Sequence, residues 1–127
     1  MLVGICGLGM IGAGCFTADP GLGFPLGTPD ASSMTLSGHG LGHMIMGSLS
    51  FLTMIAACFV FARRFASQKH SGWVIYSVAT GVLFFIAFVG ISTGNLWLNS
   101  AFVFTALNAY IWISVIAARI LARQSHV

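Results

Sequence analysis

Charge is what this sequence has least of. Asp19 and Asp30 are its only acids, and Arg63, Arg64, Lys69, Arg119 and Arg123 its only Lys or Arg residues, together 6% of the chain. A soluble domain carries about 25% charged residues, so this chain has too few to cover a surface facing water. Inside its apolar runs there is no charge at all, which weighs against an ion pump or a proton-coupled transporter. Its net charge of +3 does not point to nucleic acid, because the bases flank apolar runs and act there as topology signals. The three cysteines, Cys6, Cys15 and Cys58, show no CxxC spacing, and an odd number beside apolar helices argues against a disulfide framework. They read as small packing residues. A Gly-rich phosphate loop, a Gly-x-Ser-x-Gly elbow and carboxylates paired at helical spacing are all missing.

What the chain has is hydrophobic length. Apolar residues make up 57% of it. They fall into four runs, which predict helices over about 2–16, 38–62, 73–94 and 99–118 of a single domain. About 20 apolar residues cross a hydrocarbon core, and the last three runs reach that length. The first is shorter and starts at Met1 without a polar flank. It is either a short span tilted little or a span completed by residues upstream. The expected fold is therefore all-α, an integral membrane bundle of about four transmembrane helices in the cell membrane.

The polar segments orient this bundle. Loop 17–37 holds all three prolines (Pro20, Pro25 and Pro29), both acids and several glycines. Residues before proline are pushed out of helical conformation, so this segment breaks the helix. Its length exceeds what a turn needs. Residues 95–98 leave room only for a tight hairpin. Arg63, Arg64 and Lys69 in loop 63–72 lie two helices away from Arg119 and Arg123, so both clusters fall on one side. Positive residues favour the cytoplasm, which predicts N-in and C-in topology with the Pro/Gly-rich loop outside. Trp73 and Tyr76 near the inner interface and Trp97 at the outer one fit an aromatic belt. Gly12-Ala13-Gly14-Cys15 is loosely similar to a lipoprotein cleavage box. The basic n-region is missing, however, and glycine stands where that box has a branched apolar residue.

One constellation carries chemical potential. His39 and His43 are four residues apart, which places both imidazoles on one helix face about a turn apart. With Asp19 or Asp30 and a water they could hold zinc or a similar divalent ion and activate that water. A bare HxxxH lacks the glutamate of HExxH. The competing reading is that the histidines cap and cross-link helices, with Gly38, Gly40 and Gly42 allowing close approach. A third reading is pH sensing. Haem is disfavoured, because two histidines one turn apart on one helix cannot take opposite faces of a porphyrin. No cofactor is required by anything else in the sequence. Gly90 and Gly94 have GxxxG spacing for helix packing, and Asn108 in the fourth run should bond another helix. His70 and His126 read as solvated. The end Gln124-Ser-His-Val127 matches a PDZ-type ligand only loosely.

The string Gly14-Cys-Phe16-Thr-Ala-Asp19-Pro20, followed by Phe24-Pro25-Leu-Gly27-Thr28-Pro29, then Gly38-His39, His43 and the stop Ala62-Arg63-Arg64, resembles the domain-of-unknown-function family 998. The resemblance is specific over roughly a third of the chain. It implies a multi-pass prokaryotic membrane protein and no particular reaction. Members are usually longer, with helices upstream, so it also implies that this chain is a fragment or a short form.

Three functional expectations follow. The first is a non-enzymatic membrane or accessory component, with the lipid bilayer, membrane-protein partners or a second copy of itself as its contacts. The second is a metal-dependent membrane enzyme using His39 and His43 with Asp19 or Asp30. The third is a small permease or channel-like protein, for which one Asn and scattered Ser and Thr give little polar lining.

Overall fold

The computed structural model describes residues 1–21, 26–28 and 36–124, with the side chains of Leu96 and Arg123 left out. Asp30, Pro25, Pro29 and His126, and with them parts of the loop and tail readings, lie outside the described residues. Among the described residues four helices follow in order: α1 (Leu2–Cys15), α2 (Gly38–Ser67), α3 (Ser71–Ile91) and α4 (Leu96–Gln124). The protein is an all-α bundle. Helices α2, α3 and α4 are each long and apolar enough to cross a membrane, whereas α1 is a shorter apolar helix. At 1.5 Å per residue, 14 residues make about 21 Å, less than the roughly 30 Å of a hydrocarbon core.

Two helices outrun their expected ends. Helix α2 continues to Ser67 and α4 to Gln124. Most of the expected inner loop 63–72 is therefore helical, and Arg63, Arg64 and Arg119 sit on helix rather than in loops. The physical reason is that arginine stems run along apolar surface while the head reaches water, so a helix need not stop where charge begins. Helix α2 stops at a backbone closure instead. His70 N–H donates to the Phe65 carbonyl at 3.0 Å and Lys69 N–H to the Ala66 carbonyl at 3.0 Å, with Lys69 in left-handed conformation at φ 58°. This is a Schellman end with lysine where glycine is usual. Helix α3 starts at once, so the connection is only a few residues long.

At the other end of α3, Gly94 is outside the helix at φ 71°. Gly90 and Gly94 thus do not share a helix face. Gly90 meets Leu98 of α4, and Gly94 turns the chain. Asn95 then caps α4, its side-chain oxygen accepting from Trp97 N–H at 2.9 Å.

The core lies among α2, α3 and α4. Phe51, Phe84 and Phe102 form one aromatic cluster, with Phe51 edge-on to Phe84 at 5.5 Å and to Phe102 at 5.1 Å. Trp112 is fully buried and edge-on to Phe61. Polar bonds lock α3 to α4. Trp112 Nε1 donates to Ser77 Oγ at 3.0 Å, Asn108 Nδ2 donates to Thr80 Oγ1 at 3.1 Å, and Tyr76 Oη donates to Asn108 Oδ1 at 3.3 Å. In a low-dielectric interior each of these groups would be costly if unpaired.

Helix α1 runs antiparallel along α2. Ser50 Oγ donates to the Cys6 carbonyl at 2.8 Å, and Gly9 lies against the Met46 carbonyl. A Cβ on Gly9 would sit 3.0 Å from that carbonyl and from Ser50 Cβ, so a larger residue would push the helices apart. The charges are sorted by end. Asp19 and the start of α2 share a cavity with Ser92 and Asn99, and Arg64 and Arg119 share another with Gln68 and Gln124.

Candidate functional site

The end that carries Asp19 is built from the last turn of α1, the segment after it and the first turns of α2. Ser37 is the N-cap of α2, and its hydroxyl oxygen accepts from Gly40 N–H at 2.9 Å. Its own N–H and O–H both go to Asp19, at 2.8 Å to Oδ2 and 2.6 Å to Oδ1. In a capping box a glutamate three residues into the helix serves the N-cap N–H. Here that position is Gly40, and a carboxylate from 18 residues upstream takes the role. Gly40 is part of the same device, since a Cβ there would collide with the Asp19 carboxylate. These bonds hold the Asp19 carboxyl below its ordinary value of 3.8, with the Ser37 hydroxyl the largest cause, then the Ser37 N–H, and the charge of His39 a lesser one. The negative group also sits at the positive end of the α2 dipole.

His43 closes the other side. Its Nδ1 lies 2.9 Å from the Ala13 carbonyl and 3.2 Å from the Phe16 carbonyl. Carbonyls only accept, so Nδ1 carries the proton and donates to the carbonyls at the end of α1, where the Ala13 carbonyl also accepts from Phe16 N–H. In the neutral ring this leaves Nε2 as an acceptor. His39 is exposed and meets the Phe16 ring edge-on at 5.9 Å. A Cβ on Gly42 would press into that Phe16 ring. Asp19, Ser37, Gly40, Gly42 and His43 therefore form one clasp between α1 and α2.

Beside the clasp is a cavity of about 420 Å³. Its polar members include Asp19, His43, Ser48, Ser92 and Asn99, and Phe51, Phe88 and Phe102 line its apolar part. The structure brings Asp19 and His43 to one cavity and leaves His39 off its lining. Among the described residues no group of three or more His, Cys, Asp or Glu is arranged to hold a metal ion. Asn108 lies away from this site, in the α3–α4 bonds. Sequence reasoning missed Ser37, although a serine directly before an apolar helix is a cap signal. It also missed Ser92 and Asn99, which line the same cavity as residues remote from them in sequence.

Over residues 1–121 the chain matches the family described as Protein of unknown function (DUF998). The chain belongs to this family. No curated protein and no solved structure matches it. Both Asp19 and His43 lie within the matched DUF998 region, as do all four helices up to Leu121. Membership in DUF998 agrees with a membrane protein and carries no reaction with it.

Proposed function

We propose that this chain is a non-enzymatic, multi-pass protein of the cell membrane that works as an accessory component of a larger assembly. One observation carries the non-enzymatic part. The groups best suited to chemistry are already committed to structural bonds, the Asp19 carboxylate to Ser37 and His43 Nδ1–H to the carbonyls that end α1. Support for an assembly comes from α1. It packs chiefly on α2, and Gly4, Gly7 and Gly14 have open space where a Cβ would stand. Small residues of this kind let a partner helix approach closely in lipid. The basic ends of α2 and α4 are assigned to the cytoplasm, and the Asp19 clasp to the outer face.

The test is the size of the particle in mild detergent. Blue-native gels should show a complex larger than one chain, and Gly7→Leu should convert it to the single-chain band. A single-chain band from the unaltered protein would sink the assembly reading.

A metal-dependent activity is the second reading. It is favoured by His43, whose ring is anchored through Nδ1–H to backbone carbonyls while Nε2 is left to coordinate, the arrangement seen behind many metal-binding histidines. Stoichiometric zinc by elemental analysis, lost in His39→Ala and His43→Ala with folding preserved, would establish this reading over the first.

A further inference from the structure

The end of the bundle opposite the clasp holds a cavity of about 450 Å³ between the last turns of α2 and of α4. Arg64 and Gln68 line it from α2 and the connection, Arg119 from α4, and Phe61, Ile116 and Ile120 supply apolar wall. Two arginines from different helices thus line one half-open space. Neither makes an ion pair or a side-chain hydrogen bond with any described residue. Arg119 is half-buried, and its guanidinium carbon lies over the Trp73 ring, 4.7 Å from the centroid. Asp19, one of only two acids in the chain, is bound to Ser37 at the far end. Like charges sharing a cavity repel unless something neutralises them, and the repulsion grows as the surroundings become less polar. Gln68 adds a second mark. Its side-chain oxygen is buried and has no hydrogen-bond partner among the described residues.

We propose that this cavity binds the head group of an anionic glycerophospholipid. The phosphate sits between Arg64 and Arg119, a head-group hydroxyl donates to Gln68 Oε1, and the start of an acyl chain lies along Phe61, Ile116 and Ile120. Planar guanidinium forks match phosphate oxygens, and basic cavities between membrane helices suit such head groups. The apolar wall and the membrane-spanning helices select a lipid over a free anion. Trp73 beside Arg119 places the cavity at the depth of the head groups.

The experiment is native mass spectrometry of the full chain in mild detergent, titrated with phosphatidylglycerol or phosphatidylcholine. Phosphatidylglycerol should be retained preferentially. Arg64→Gln and Arg119→Gln should each weaken that retention about fivefold, as expected for roughly one surface-basic contact each. Arg63→Gln is the control, since Arg63 is exposed and off the cavity. Arg64 is also exposed, so its variant reads the site even where Arg119→Gln fails to fold. Equal retention of the two lipids would overturn the proposal, as would an Arg63→Gln loss matching that of Arg64→Gln. Thermal stabilisation by inorganic phosphate equal to that by phosphatidylglycerol would overturn the lipid assignment.

Discussion

Asp19 illustrates how one side chain can be both the most reactive-looking group in a sequence and a structural pin. As one of two acids in the chain it is an obvious candidate ligand. Its surroundings give it three tasks at once: it accepts from the Ser37 N–H, fixes the Ser37 hydroxyl that caps α2, and faces the α2 dipole. Because its folded-state value is depressed below 3.8, its contribution to stability is fully present above 3.8 and is lost as pH falls through the lower folded value. Thermal unfolding in detergent should therefore show stability dropping in that acid range. Asp19→Asn should be less stable near neutrality and should lose much of that dependence. An unchanged acid profile in Asp19→Asn would place the pH sensitivity elsewhere.

Helix ends, rather than helix interiors, are where the sequence was hardest to read. The apolar runs located all four helices, but α2 and α4 ran through arginines that looked like stops. Where α2 stops is set by the backbone at Lys69, which must adopt a left-handed conformation. That conformation costs a side-chain-bearing residue about 1–2 kcal/mol, and glycine avoids this at a smaller entropic cost. Lys69→Gly should thus raise unfolding stability by about 0.5–1 kcal/mol, measured by denaturant titration in micelles. A loss of stability would mean that the lysine side chain contributes more than its backbone strain costs. No local pattern announced the Schellman end, because Lys-His lacks the glycine that usually marks one.

At the scale of the whole molecule, the two charged ends and the apolar middle make a directional object. The Asp19 clasp, Ser92 and Asn99 mark one end, and Arg64 with Arg119 the other. Positive residues are retained on the cytoplasmic side. In a chain whose own cysteines are replaced by alanine, Thr17→Cys should react with an impermeant maleimide on intact cells. Gly72→Cys should react only after permeabilisation; both positions are exposed, and a Cβ at Gly72 meets nothing within 4 Å. The reverse pattern would invert the topology and move the lipid cavity to the outer leaflet.

The sequence by itself determined the solvent, the helical class and the sorting of charge. Composition fixes whether a chain can face water, backbone groups in lipid must bond within their own helix, and apolar length limits where spans can lie. Only the tertiary structure decided which polar groups meet. Asp19 goes to Ser37, His43 to the carbonyls at the end of α1, Trp112 to Ser77, and Arg64 and Arg119 come to line one cavity. Those pairings join helices through their relative rotation and depth. Between α1 and α2 both depend on how closely Gly9 and Gly40 let their neighbours approach, which no period in the sequence encodes.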